Sequence, residues 1–280
     1  MHTRVLLRFA IPALLLVLGS SLPSSAQSTG DAISARLKGQ PLYLRSGWGE
    51  DKLKFDADGQ PQKHYKVVTF TEAGIDVRSV KVAGDRLLIR GQRMGVVFPN
   101  GTPTRVPMTG RGYTGSISIE VQGVPGGNFG KALDVIFAPD LVSLVPSMPI
   151  YWQDYARKNL QPQPTASGEN SVVPGGIPTV ASSEKLVHIG GPVKKPSVIS
   201  SVEPEFSDAA RAMQISGSVG IYLWVMEDGS PAHMRIVKPA GLGMDEQALL
   251  ALSKYKFKPA MQDGKPVRVD LYIDVNFQIF

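Results

Sequence analysis

The chain has 280 residues, 42% hydrophobic and 19% charged, which is enough for one or two cores and far from a disordered composition. The formal net charge is +6, but Arg4 and Arg8 fall in a segment read as removed. The other cations are interleaved with Asp and Glu, and without a basic stripe the chain does not read as a nucleic-acid binder. It contains no cysteine, so disulfides, thiolate chemistry, cysteine metal sites and lipid attachment through an N-terminal Cys are excluded.

Residues 1–26 read as a cleavable export signal. Arg4 and Arg8 form a positive start, residues 9–18 are an apolar run, and Ser24-Ser25-Ala26 supplies small residues before Gln27. The alternative is a retained anchor, but such a run reaches only about 15 Å as helix against about 30 Å of hydrocarbon.

Residues 27–159 read as a β-rich domain of unknown function. Short β-favouring runs at 42–44, 53–55, 66–70, 74–82, 86–89, 95–98, 116–121 and 132–137 are separated by turn pairs such as Asp58-Gly59, Gly84-Asp85 and Asn100-Gly101. This spacing predicts an all-β sandwich or small barrel. The apolar phase of 74–82 switches between Val77 and Val80, which marks a bulge. Residues 151–159 add a short helix. Residues 160–197, rich in Pro, Gly, Ser and Thr, read as a linker.

Residues 198–280 form the second domain. Ser207 caps a helix over 208–213 that closes at Gly217. Residues 218–226 alternate as a strand, Asp228-Gly229 turns the chain, and 232–238 return as a hairpin. Residues 244–255 carry Met244, Ala248, Ala251, Leu252 and Tyr255 on one helical face, with Asp245 and Glu246 in the first turn and Pro259 as the stop. Asp263-Gly264 then turns into 267–280, where apolar and polar residues alternate without a break. Within this region KYKFKPAMQDGKPVRVD, residues 254–270, has the cation density of a binding site but reads as punctuation: helix end, Pro stop, turn, start of strand.

Catalytic constellations are scarce, and the chain does not read as an enzyme. His64, His188 and His233 are scattered. Gly110-Arg111-Gly112-Tyr113-Thr114-Gly115 fits GxGxxG but leads into the strand-like 116–121, not a helix, so it is a turn. Asp56-Ala57-Asp58-Gly59 lacks the rest of a calcium loop and reads as a hairpin turn. No cofactor and no metal are expected.

The motifs of the last 80 or so residues occur in a familiar order: Pro204-x-Phe206 with Ala209-Ala210, Ile215-x-Gly217-x-Val219, Asp228-Gly229, Met244-Asp245-x-x-Ala248, Tyr255-x-Phe257-x-Pro259-Ala260, Asp263-Gly264-Lys265-Pro266 and Val275-Asn276-Phe277. This region resembles the TonB C-terminal domain family, with Phe206 where Tyr is usual and Tyr255 where Trp is common. The resemblance implies an α+β domain, a three-stranded antiparallel sheet with two helices on one side. It also implies a periplasmic, TonB-like protein that grips a short peptide of an outer-membrane TonB-dependent transporter by β-augmentation, in support of energy-coupled transport.

The edge implied is the last strand, residues 267–279, with Arg268, Asp270, Tyr272, Asp274 and Asn276 as its partner-binding neighbourhood and Pro at Leu271 as the disrupting substitution. Contact with an inner-membrane proton-channel complex is implied only if the N-terminus is retained, giving an inner-membrane anchored protein facing the periplasm. The alternative function is a soluble periplasmic binding module for peptidoglycan or another envelope protein, without energy transduction. The long alternating edge also offers a homodimer contact.

Overall fold

The computed structural model describes residues 25–123, 128–160 and 186–279. The export signal read over 1–26 lies outside these apart from its last two residues, and so does most of the linker. Among the described residues no helix is long and apolar enough to cross a membrane.

The first half is built on one mixed seven-stranded sheet. After helix α1 (Ser25–Leu37) come β1 (Leu42–Leu44), β2 (Lys52–Phe55), β3 (Gly74–Ala83), β4 (Arg86–Val97), β5 (Thr104–Pro107), β6 (Ser116–Gln122), helix α2 (Gly130–Ile136), β7 (Phe137–Ala138) and helix α3 (Ile150–Asn159). The strand order is β2-β6-β4-β3-β1-β7, with β5 also on β4. β2 and β6 run parallel, while the other pairs are antiparallel.

This departs from the expected all-β sandwich or barrel. Residues 132–137, a β-favouring run in the sequence, are mostly helix because Ala132, Leu133 and Ile136 reach the core at helical spacing. The run 66–70 makes only an isolated bridge, Val67 to Trp48, before a 3-10 turn at Phe70–Glu72. The β3 register slips between Val77 and Ser79, where the apolar phase changes.

The second half contains β8 (Ser197–Ser200), α4 (Asp208–Met213), β9 (Gly217–Val225), β10 (Pro231–Lys238), α5 (Met244–Leu252), β11 (Lys256–Lys258), β12 (Ala260–Gln262), β13 (Lys265–Val267) and β14 (Val269–Phe277). β10, β9 and β14 form the three-stranded antiparallel sheet, β9 in the middle. Ser207 caps α4 by accepting from Ala210 N–H at 3.0 Å.

Three expected boundaries move. α4 closes at Gln214, left-handed with φ 54°, leaving Gly217 to open β9. α5 stops at Leu252, because Phe257 enters the core and Lys258, next to Pro259, is held extended in β11. The last strand is not continuous: β13 pairs with β12 around the Asp263-Gly264 turn, and a separate β14 pairs with β9.

The two sheets share a core. Val96, Phe98, Met108, Leu144, Trp152 and Tyr155 from the first half pack with Val219, Ile221, Leu223, Ile236, Leu242 and Met244 from the second. Main-chain bonds cross the seam: Leu242 N–H donates to Val96 O at 3.1 Å, Phe98 N–H to Ala240 O at 3.3 Å, and Arg111 N–H to Ala212 O at 3.0 Å. The glycine-rich 110–115 segment is thus a turn seated on α4. The rings of Phe70, Phe98 and Tyr155 surround Trp152, which is fully buried, with the Phe70 ring edge-on at 4.8 Å.

Candidate functional site

The three-stranded sheet has two edges, treated differently. β10 is backed by α3, with Arg235 reaching Asp154 at 3.6 Å. β14 bonds to β9 alone among the described strands, with paired residues running from Val269↔Val225 to Phe277↔Gly217.

Hydrogen-bond alternation tells which residues face outward. Met226 N–H donates to Ser230 O at 2.9 Å across the β9–β10 hairpin. Even-numbered β9 residues therefore address β10, and odd ones address β14. Odd residues of β14 answer them, so the N–H and C=O of Asp270, Tyr272, Asp274 and Asn276 point away from the sheet. Two further bonds agree: Ile279 N–H turns inward to Ser216 Oγ at 3.1 Å, and the Arg268 carbonyl turns outward to accept from Val187 N–H at 3.0 Å.

The five expected residues occupy this edge in different states. Arg268 lies just before β14; its guanidinium reaches Glu227 at 3.3 Å and its carbonyl is held by Val187, so it closes the edge. Asp270 is half-buried, with His188 Nδ1 4.0 Å away. Tyr272 is 52% exposed and donates to Asp274 at 2.9 Å. Asp274 also faces Lys238 at 3.9 Å, and Asn276 is exposed. Leu271 addresses β9, so Pro there would remove an internal ladder bond; Tyr272 is the position whose N–H is offered outward.

Beside this edge lies a row of side chains on the outer face of β9. Tyr272 stands opposite Tyr222, and Asp270 opposite Trp224. The His233 ring leans on Trp224, tilted by 39° with ring centroids 4.0 Å apart. Tyr272 lies over Gly220, where a Cβ would collide with its hydroxyl. Burial, and then the bond to Asp274 and its charge, push the Tyr272 phenol up from its usual range; burial and Asp270 do the same to Tyr222. The edge is therefore aromatic and acidic, suited to an extended segment with neutral or basic side chains. Sequence reading missed Gly220, Val187 and the α3 cover, because each acts through a partner distant along the chain.

Among the described residues no group of three or more His, Cys, Asp or Glu is placed to hold a metal.

Comparison with known proteins bears on residues 202–279, which match the family described as Gram-negative bacterial TonB protein C-terminal. The chain is 30% identical over 89 residues to Protein TonB of Vibrio cholerae, covering 31% of this chain and 36% of that one. It thus spans about a third of the length of that curated relative. A solution structure of the Pseudomonas aeruginosa TonB C-terminal domain aligns at 19% identity with a TM-score of 0.27, covering 34% of this chain and 94% of that one.

Proposed function

We propose, from the match of residues 202–279 to the TonB C-terminal domain family, that this chain is a TonB-like periplasmic protein. Its β14 edge takes a short peptide from an outer-membrane transporter as an added strand, in support of energy-coupled uptake. The observation that carries this reading is the open outward ladder of Asp270, Tyr272, Asp274 and Asn276 beside a closed Arg268. Main-chain bonds supply grip, and the acidic, aromatic flank supplies selectivity.

Calorimetric titration of the full chain with synthetic N-terminal peptides of outer-membrane transporters tests it. Binding is expected for at least one peptide and is lost in Tyr272→Pro. If every transporter peptide fails while the protein is retained on cell-wall sacculi, the reading gives way to a peptidoglycan-binding module without energy transduction.

A further inference from the structure

The chain has a second open strand edge, of opposite character to the first. β8 pairs with β11 through Ser200↔Lys256, Val198↔Phe257 and Ser197↔Lys258, and with no other strand among those described. All four β8 residues are exposed, Val198 at 52% and Ile199 at 70%. On the far side of β11, Phe257 N–H donates to Gly229 O at 2.9 Å. The main chain of Phe257 therefore faces away from β8, and its partner Val198 sits in a non-hydrogen-bonded pair with its own N–H and C=O turned outward.

Cations flank this edge. Lys256 and Lys258 are exposed directly across from Ser200 and Ser197, and Lys194 and Lys195 are exposed just before the strand. Lys194 is anchored there by paired backbone bonds with Met261 at 2.8 and 3.1 Å. The nearby acids are fewer: Asp228, which feels Lys256, and Glu203 and Glu205 beyond the strand. Two exposed β-branched side chains, an outward backbone donor and acceptor, and four lysines make a surface complementary to an extended, acidic, apolar segment. Pairing of β8 with β8 of a second copy is disfavoured, since it would set lysines against lysines.

We propose that β8 is a second docking edge, which takes an acidic extended segment of another protein as an added strand, independently of β14. The probes are two blocked heptapeptides, one alternating glutamate and valine, the other lysine and valine, titrated by fluorescence anisotropy at low salt against the full chain. The acidic peptide is expected to bind at least about tenfold tighter than the basic one, with the difference shrinking as salt rises. Val198→Pro removes the outward donor and leaves the β8–β11 ladder intact, so it should abolish binding with an unchanged melting curve. The double variant Lys256→Glu with Lys258→Glu should reverse the preference.

Tyr272→Pro should leave acidic-peptide binding untouched, which separates this edge from the transporter-peptide reading. Equal affinity for both peptides would mean that the lysines only protect the edge from aggregation, and would overturn the proposal. So would binding that survives Val198→Pro, or attachment to phosphatidylglycerol vesicles that is indifferent to that substitution, which would assign the lysines to a lipid surface.

Discussion

The indole N–H of Trp152 donates to Glu246 Oε1 at 2.9 Å, joining α3 of the first half to α5 of the second. Thr69 Oγ1 donates to the same oxygen at 2.9 Å. One carboxylate thus ties two segments of the first half to the helix that backs the three-stranded sheet.

Trp152→Ala should therefore destabilise both halves together, by about 3–5 kcal/mol, as a single shifted urea transition. Trp152→Phe, which keeps most of the ring packing but leaves the carboxylate short of a donor, should cost about 1–3 kcal/mol. Two separate transitions, with only the first shifted, would show that the shared core does not couple the halves.

Stability should also depend on pH through the seam. Burial, then the charges of Glu246 and Asp208, raise the Glu72 carboxyl to about 7, against the opposing pull of Lys66 and Arg93. Burial likewise raises Asp245, although Ala240 and Gly241 N–H groups, each 2.8 Å from it, favour its charged form. A raised carboxyl binds its proton more tightly in the folded state. Its contribution is fully present below the ordinary carboxylate range near 4.5 and is lost as pH rises to about 7. Chemical denaturation at pH 5.5 and pH 8, values chosen at about the two sides of that loss, should show the protein more stable at the lower pH. Glu72→Gln should reduce the difference, leaving the share carried by Asp245.

At the β14 edge, Pro substitutions should separate by parity. Tyr272→Pro should keep the fold and lose peptide binding, because its N–H is not used by β9. Leu271→Pro should cost about 3 kcal/mol or more by breaking the central ladder, seen as a lowered midpoint before any peptide is added. Equal destabilisation by the two would invert the outward assignment.

Gly220→Ala should act on the same site from the neighbouring strand. A methyl there meets the Tyr272 hydroxyl and Lys238 Cβ. Tyr272 is half-exposed and can swing away, but the Lys238 Cβ is fixed to β10, which must give slightly, so stability should fall by about 1 kcal/mol or more while transporter-peptide affinity falls. A variant with unchanged affinity would remove Tyr272 placement from the recognition mechanism.

Much of this architecture was legible in the sequence wherever a local signal decides the outcome. Ser207 caps its helix, Asp228-Gly229 and Asp263-Gly264 turn their hairpins, and the Val77 phase change is a bulge, because turn chemistry and period are properties of a few adjacent residues. The helix at 130–136 was not legible: its β-favouring Val135 and Ile136 are overruled by packing that only the folded sheet supplies. Nor could the break at Arg268 be seen, since Val267 and Val269 keep perfect alternation while pairing with different strands. The candidate edge followed from the motif order, but its parity required the hairpin bond from Met226 to Ser230. The 254–270 stretch is more than the punctuation read from it: it carries β11, β12 and β13, and its Lys256 and Lys258 stand beside β8, a strand the linker reading had absorbed in part.

The bond from Val187 to Arg268 has one more consequence. It occupies the first outward acceptor of the ladder, so a strand added there as proposed would be unable to slide past that point and would find its origin fixed by the host chain. Because a shift of one residue exchanges the two faces of a strand, such an end-stop would convert the proposed backbone grip into a reading frame, deciding which side chains of a guest would meet Tyr272 and Tyr222 and which would meet solvent.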